Sequence, residues 1–401
     1  MNDALANEVP CPPRLPPDTS VETLPAWTYH NAEFYELEKE RIFMRTWQLA
    51  GHVSDIGGAG DWLRFDLMGE SVFVMRGADG EIRAFYNVCR HRANRLVHGD
   101  TGHCDESLSC TYHGWTYGLD GSLIRVPAEA SFPGLERARW GLKQVAVEVW
   151  LGFVFIRFEG AEPSVAEIMA PYEDELRGYR FKDLEPMGRV STREAPVDWK
   201  NAIDNNIEGY HIAIGHPGLH RLFGRDYRFE TKPFGIARAG GQLAETSTNW
   251  TERHYLKILP RLDHLPEERQ RAWHYYSLFP NLAFDVYPDT IDFFQMLPLA
   301  PGRCLLRSRT YGLADTSREM RAARYLSGRI NQLVGQEDVS LVEGVQAGLA
   351  SRSYDGGILS DHEQRIREFH SLIRTIVPVA ALRQAPPLGT VARRNDEMAA
   401  R

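Results

Sequence analysis

The sequence predicts an α+β protein in which a compact β-rich domain is followed by a larger domain of mixed helix and strand. Short β-branched and aromatic runs separated by glycine turns fill residues 47–158. From residue 164 the pattern is mixed, with a strand-like stretch at 230–312, and residues 318–349 and 361–377 have long apolar patterns with helical period. The predicted divisions are an N-terminal arm and helix at 1–46, the β domain at 47–160, the larger domain at 161–385 and a tail at 386–401.

Composition excludes several classes of protein. The 401 residues are 43% hydrophobic and 25% charged, which is typical of a globular chain with a real core. The net charge of -8 argues against nucleic acid or an anionic membrane as the main partner. The N-terminus lacks the pattern of a signal peptide, and the longest apolar run, at 149–156, is far too short to span a bilayer. Five cysteines are too few and too scattered for a disulfide framework, so we expect a cytoplasmic protein in which Cys11 and Cys304 are structural.

Local signals predict the individual elements. Asn31 is a suitable N-cap for a helix at 31–45. Asp79-Gly80 and Asp120-Gly121 each separate two β-rich runs and predict hairpins. Residues 145–158 predict one or two strands, and helices are predicted at 164–179 and 199–214.

The first group of candidate ligands is Cys89, His91, Cys110 and His113, arranged as Cys-x-His and Cys-x-x-His with eighteen residues between the pairs. Two thiolates and two imidazoles suit tetrahedral zinc or an iron–sulfur cluster. In a zinc finger the cysteines usually form one pair and the histidines another, whereas here each pair is mixed. This favours a [2Fe-2S] centre in which two cysteines hold one iron and two histidines hold the other. Cys104 lies between the pairs and is interpreted as structural or free, with ligation as the lesser alternative.

The second group is Glu208, His211 and His216, in a segment that reads as a helix. On an ideal helix His216 lies about 140° around from His211, so the two imidazoles can share a metal only if the helix is interrupted. Gly215 permits such a break, and Pro217 biases His216 away from helical dihedrals. Two histidines and one carboxylate on one face of a metal form the facial triad of non-haem iron(II) oxygenases.

The pattern Cys-x-His … Cys-x-x-His followed by Gly-Trp resembles the Rieske centre of the ring-hydroxylating oxygenase family, whose alpha subunits carry an N-terminal Rieske domain and a catalytic domain with mononuclear iron. The resemblance extends over nearly the whole chain. It implies a catalytic antiparallel sheet wrapped around a long C-terminal helix, a helix-grip arrangement, with the N-terminal helix packed on this domain. It also implies a Rieske cluster, a mononuclear iron and O2 as co-substrate.

The resemblance further implies roles for particular residues. An aspartate on a late helix completes the iron ligands in the family; Asp338 is the choice here, with Glu337 and Glu343 as competitors. In the family a carboxylate three residues before the first histidine joins the two metal centres. Here that residue is Glu208, which would hydrogen-bond His211 and His113 of the partner subunit.

Glu rather than Asp at the bridging position, together with the runs LFPNLAFDVYP and VEGVQAGL, is similar to the homotrimeric branch that acts on quaternary amines. Stachydrine demethylase and the glycine betaine, choline and carnitine monooxygenases are members of this branch. The implied function is O2-dependent monooxygenation of a small quaternary amine, by oxidative N-demethylation or hydroxylation. No strand is followed by Gly-x-Gly-x-x-Gly, so electrons are expected to come from NAD(P)H through a separate reductase.

Three alternatives stay open from the sequence. An aromatic-acid ring-dihydroxylating dioxygenase or O-demethylase would need a cation aimed at the substrate carboxylate, for which Arg253, Arg271 and Arg307 are candidates. An electron-transfer protein would use only the Rieske cluster. A zinc-binding structural protein is the most remote. Downstream aromatic residues could form a cage for a quaternary ammonium, but they could equally pack a core.

Overall fold

The structure is a computed structural model that describes residues 11–16, 20–224 and 226–400. The chain forms two compact units. The smaller unit is Met44–Val165, and the larger unit consists of the described residues before and after it. No described helix is both long and apolar enough to cross a lipid bilayer.

The smaller unit is a β structure, as the turn signals predict. Its strands are β1 (Gln48–His52), β2 (Asp61–Leu67), β3 (Glu70–Arg76), β4 (Ile82–Tyr86), β5 (Thr101–His103), β6 (Ser107–Ser109), β7 (Thr116–Gly118), β8 (Leu123–Arg125), β9 (Gln144–Trp150) and β10 (Phe153–Arg157). Seven of them form an antiparallel sheet in the order β1-β10-β9-β4-β3-β2-β5, and β6-β7-β8 form a second sheet. Asp79-Gly80 joins β3 to β4, and Asp120-Gly121 joins β7 to β8. Both turn glycines have positive φ, 85° and 82°, which explains why glycine is favoured there.

The larger unit combines one large sheet with ten helices in its described residues, counting Val165 of α2 with it. Its strands are β11 (Leu184–Pro186), β12 (Ser191–Ala195), β13 (Arg228–Thr231), β14 (Ala237–Gln242), β15 (Ala272–Leu278), β16 (Leu282–Val286), β17 (Ile291–Ala300) and β18 (Arg303–Leu313). Its helices are α1 (Ala32–Arg41), α2 (Val165–Met169), α3 (Glu173–Gly178), α4 (Trp199–Asn206), α5 (Ile212–Gly215), α6 (Pro217–Phe223), α7 (Trp250–Ile258), α8 (Arg318–Leu349), α9 (Gln364–Ile376) and α10 (Val391–Ala399). The sheet is antiparallel in the order β11-β18-β17-β16-β15-β14-β13, and β12 also pairs with β18.

The two faces of this sheet have different neighbours. On the face here called the inner face, Trp273 and Tyr287 share a buried cluster with Leu326 of α8 and other residues of that helix. On the outer face, Tyr276 packs edge-on against Tyr172 with 5.4 Å between ring centroids. The long helix α8 therefore lies against one face of the antiparallel sheet, which confirms the predicted fold class.

Two predicted helices are shorter than the sequence suggested. The helix predicted at 164–179 is divided into α2 and α3 by a turn that contains Pro171, because proline lacks the N–H that would continue the helix. The helix predicted at 199–214 ends at Asn206, and α5 begins only at Ile212. The stretch at 230–312 is not all strand, because Asn249 caps α7 within it.

The chain ends of the larger unit are packed together. Asn31 caps α1 as predicted, and on this helix Glu38 binds the ammonium of Lys200 at 2.5 Å. The residues predicted to be a tail contain α10, so that description was wrong. Glu33 of α1 accepts hydrogen bonds from the backbone N–H of Gly389 and Val391, and Val391 is fully buried. The contact with α1, distant in sequence, orders this segment.

Candidate metal centres

Two similar loops hold the predicted cluster ligands in the smaller unit. After β4, the backbone N–H of Cys89 donates to the carbonyl of Asn94 at 2.8 Å, and Ala93 donates back to Cys89. After β6, Cys110 donates to Trp115 at 2.8 Å, and Gly114 donates back to Cys110. Each Cys-to-His segment is thus closed by a backbone hydrogen bond across its base.

The four side chains come together. The thiols of Cys89 and Cys110 are buried and in hydrogen-bonding contact, and the rings of His91 and His113 lie 4.6 Å apart between centroids. Within the described residues the Nδ1 atom of His91 is buried without a hydrogen-bond partner. An orphaned imidazole nitrogen beside two buried thiols is what a metal-ligating site presents, so the residues fit a [2Fe-2S] cluster.

Hydrogen bonds surround the two sulfurs. The Tyr117 hydroxyl lies 3.4 Å from the Sγ of Cys89, and the amide of Asn94 lies 3.6 Å from the Sγ of Cys110. Burial raises the pKa of the Cys89 thiol. Burial also opposes ionisation of Cys110, but backbone N–H groups of Tyr112 and His113 and the other contacts outweigh it and lower the pKa of that thiol. Hydrogen bonds of this kind tune ligand orientation and redox potential.

The histidine pair is shielded on one side only. His91 stacks on the buried ring of Trp115 with 5.0 Å between centroids and an angle of 8°. His113 is exposed beside Tyr112. Cys104 is half-buried against the same core, and its backbone N–H bonds to Gly60. The exposed histidine is therefore the one that a partner could reach.

In the larger unit, the helix that the sequence predicts over 199–214 is interrupted near Glu208. Its carboxylate accepts hydrogen bonds from the backbone N–H of Tyr210 and, at 3.3 Å, from that of His211. The Nδ1 of His211 also donates to Glu208. Because the carboxylate takes these N–H groups, the backbone turns and the Nε2 atom of His211 points away from Glu208.

His216 lies at the junction of α5 and α6 with φ −125° and ψ 76°, so the break next to Pro217 occurs where the sequence suggested. Its Nδ1 lies 2.8 Å from Glu337, and its Nε2 lies 2.9 Å from the Oδ1 of Asp338. The Nε2 of His211 lies 3.9 Å from the same oxygen. One ligand atom from each of His211, His216 and Asp338 lies within 4.8 Å of the others, so this donor set fits a facial-triad iron.

The three acids on α8 have different surroundings. Asp338 faces both histidines, Glu337 faces only the outer nitrogen of His216, and Glu343 is exposed. Burial disfavours the charged form of His216, but Asp338 and Glu337 outweigh burial and raise its pKa. Glu337 is thus placed to orient His216 rather than to ligate.

We expect Glu337→Ala to weaken iron binding at this site by about 10–100-fold, because it removes the acceptor that orients His216, and such a partner contributes that much to metal affinity. Iron retained during dialysis against graded chelator measures the effect. Glu343→Ala is the matched control on the same helix and should retain iron like the parent. Equal retention by all three proteins would show that Glu337 does not support the ligand.

Sequence reasoning missed some residues of both centres. Asn94 was not singled out, although it lies three residues after His91 in the same loop. Glu337 was considered only as a rival ligand, since its contact with His216 spans 121 residues. The orienting partner of a histidine leaves no local spacing signal in the sequence.

Comparisons with known proteins agree with this geometry. Residues 46–145 match the family described as Rieske [2Fe-2S] domain, and residues 181–378 match the family described as ring hydroxylating alpha subunit (catalytic domain). The carnitine monooxygenase oxygenase subunit of Escherichia coli (strain K12) is 30% identical over 375 residues, covering 88% of this chain and 93% of that protein. The chloroplastic choline monooxygenase of Arabidopsis thaliana is 29% identical, covering 90% and 84%.

A solved structure shares the architecture. The structure of a quaternary ammonium Rieske monooxygenase, reported with insights into carnitine oxidation by gut microbiota and inter-subunit electron transfer, has a TM-score of 0.76 and 25% identity and covers 90% of this chain and 96% of that one. A relative at 30% identity spans most of the chain, and the two family matches fall on the two described centres. The chain therefore belongs to the Rieske non-haem iron oxygenases, as an oxygenase alpha subunit with a [2Fe-2S] Rieske domain and a mononuclear iron catalytic domain.

Proposed function

We propose that this chain is the terminal oxygenase component of a multicomponent system that monooxygenates a small quaternary amine, by oxidative N-demethylation or hydroxylation. Electrons come from NAD(P)H through a separate reductase. The observation that carries the proposal is the convergence of His211, His216 and Asp338 on one point. In this proposal those three residues hold the iron. The [2Fe-2S] cluster is held by Cys89, His91, Cys110 and His113.

The residues around the metals have defined tasks in this proposal. When bound, the cluster supplies single electrons and the iron supplies activation of O2. Glu208 and Glu337 accept the outer N–H of His211 and His216, so both Nε2 atoms face Asp338. These contacts fix the tautomer and ring orientation of each ligand, and a carboxylate partner makes the histidine a stronger donor.

The substrate class is supported by the relatives and by the hydrogen bonds that three arginines form. The named relatives act on carnitine and choline. Arg253 and Arg271 donate to backbone carbonyl groups of their own surroundings, and Arg307 donates to a glutamine on the neighbouring strand. None of these hydrogen-bond partners is a residue of the iron site, which disfavours the aromatic-acid alternative.

We also propose a head-to-tail homotrimer in which Glu208 connects the iron site to His113 of the partner subunit. In the larger unit, a cavity of about 400 Å³ is lined by Glu208, His211 and apolar residues of α8. Nearby, Tyr210 and Ile214 are 60% and 89% exposed. In the smaller unit, exposed His113 lies beside the exposed ring of Tyr112, and Val88, next to Cys89 in the sequence, is also exposed. Apolar residues exposed at both centres suit a subunit contact.

The experiment that tests the function is substrate-dependent oxygen uptake by the purified protein with a generic reductase and NADH. A panel of methylated amines and aromatic acids is supplied, and formaldehyde release identifies demethylation. We expect uptake with at least one quaternary amine. Uptake with aromatic acids alone would contradict the proposed substrate class.

Iron content separates this function from the electron carrier and the zinc protein. A cluster plus a mononuclear site requires three iron atoms per chain, a carrier only two, and a zinc protein none. The proposal also places the protein in the cytoplasm, because none of the five cysteines, all of which lie in the described residues, forms a disulfide, as is usual in a reducing compartment.

A further inference from the structure

One row across the inner face of the large sheet contains two acids. Tyr275 of β15 pairs with Asp285 of β16, Asp285 pairs with Asp292 of β17, and Asp292 pairs with Thr310 of β18. Directly paired residues of an antiparallel sheet project from the same face. The four side chains therefore project towards the side on which α8 lies.

The side chains of this row are partly accessible to solvent, whereas their neighbours on the outer face are not. Tyr275, Asp285 and Asp292 are half-buried, whereas Tyr276 and Phe284, their neighbours in the strands, are each 1% exposed. Accessible surface on a face that is otherwise covered by α8 requires open space between the sheet and the helix.

The carboxylate of Asp285 has few hydrogen-bond partners. Its Oδ1 atom is buried without a hydrogen-bond partner in the described chain, and its Oδ2 has only a 3.4 Å contact with the Tyr287 hydroxyl. Asp292 also has an unpartnered Oδ1. Burial, with the neighbouring charge of Asp292, raises the pKa of Asp285 to about 8. A buried carboxylate in this state is unfavourable unless a positive charge accompanies it, and no member of the row is basic.

Aromatic rings beside Asp285 share a cluster with Ile212, the residue that follows His211. The ring of Tyr275 is 6.3 Å from that of Tyr227 and 6.0 Å from that of Tyr287, between centroids. Burial raises the pKa of Tyr227, and the charges of Asp285 and Glu208 add to this effect. Tyr275 is affected in the same way by burial, by Asp285 and by Asp338. The ring of Tyr227 also lies against Gly209, the residue after Glu208, so the cluster extends from Asp285 to the segment that holds His211.

We propose that Asp285 is the counter-ion for the cationic group of the substrate, which lies against the rings of Tyr227, Tyr275 and Tyr287. This inference rests on the proposed function. A quaternary ammonium is attracted to ring faces within about 6 Å and has no N–H to donate. It needs negative charge rather than a directed acceptor, which matches a carboxylate with one oxygen that lacks a donor and one with a single long contact. Asp285 would then select a cation over a neutral molecule of the same shape.

The test compares equilibrium binding of choline with that of its neutral isostere, 3,3-dimethylbutan-1-ol, by titration calorimetry of the holoenzyme. We expect the parent to prefer the cation. Asp285→Asn should weaken cation binding by about 30-fold or more, the lower range for removing one member of a buried charge pair, and leave the alcohol unchanged. This variant removes a charge that burial disfavours, so it should fold. Asp285→Glu keeps the charge and should retain the preference for the cation.

Asp289→Asn is the matched control, because both oxygens of this buried acid are already bonded, to Tyr255 at 2.7 Å and to Ser327 at 2.6 Å. It should keep the parent's preference. The counter-ion role would be overturned if the parent bound the cation no better than the alcohol. It would also be overturned if the Asp285→Asn variant retained the preference for the cation. Oxygen uptake with methylated amines by the parent is scored separately, so the proposed function can stand when the role of Asp285 fails.

Discussion

Co-expressed His91→Ala and His211→Ala chains are expected to recover part of the activity that each variant lacks alone. His91→Ala removes a proposed ligand of the [2Fe-2S] cluster, and His211→Ala removes a proposed ligand of the mononuclear iron. Each homotrimer should therefore be inactive in substrate-dependent oxygen uptake. In mixed trimers, an intact cluster on one subunit sometimes faces an intact iron on the next, and that junction can turn over.

The mixed-trimer experiment needs two affinity tags, one on each variant, so that only assemblies containing both chains are assayed. As a control, two His211→Ala chains that carry different tags are co-expressed and purified in the same way. These assemblies should stay inactive, and any activity in them would come from contaminating oxygenases of the host. Mixed assemblies that form and show no uptake would mean that electrons pass within one chain. The heterologous, ring-closing contact proposed here would then be wrong.

Glu208→Gln is expected to keep both metal centres and to lower turnover on the order of 100-fold, the upper range for loss of a carboxylate that supports a metal-ligating histidine. Glutamine has nearly the same shape, and its carbonyl can still accept the N–H of His211. It cannot carry the negative charge that, in the proposed bridge, links the histidine of one centre to the histidine of the other. The loss should therefore appear in electron transfer rather than in metal content.

Electron transfer is measured in a single turnover. The reduced cluster is mixed with substrate and O2, and its oxidation is followed by its visible spectrum. Iron analysis and the Rieske spectrum establish that both centres are present. Glu363→Gln is the control, since Glu363 lines the same cavity but caps the turn that begins at Ser360. Full turnover by Glu208→Gln would remove the bridging role, and equal losses in both variants would indicate a general effect of charge in the cavity.

Much of the fold could be predicted because its signals are local. The hairpin glycines, the cap of α1 at Asn31 and the 32-residue periodic pattern of α8 act on neighbouring residues. The mixed Cys/His pairs are equally local, since each sits in one short loop. The α+β class and the family resemblance followed from these signals, and the structure and comparisons confirm both.

The errors arose where contacts distant in sequence compete with local propensity. The segment at 386–401 resembles a free tail by composition, but Glu33 of α1 binds the start of α10 and holds it in place. Residues 199–214 have a helical pattern, but Glu208 takes the backbone N–H groups of the next turn. A side chain that replaces backbone hydrogen bonds can end a helix without any break in the apolar period.

The sequence by itself determined which residue types could hold a cluster and an iron, because ligand chemistry depends on short spacings within single loops. Only the tertiary structure decided that Asp338 faces His211 and His216 while the adjacent Glu337 takes the outer nitrogen of His216. Those two acids are neighbours in one helix, and their roles differ only in the direction each projects towards a segment about 120 residues away. Likewise, Asp285 reads as one charge in a hydrophobic strand, and strand pairing alone places it beside Tyr275 on the face towards α8. The direction of a side chain and the pairing of strands are set by tertiary packing, which no local sequence pattern encodes.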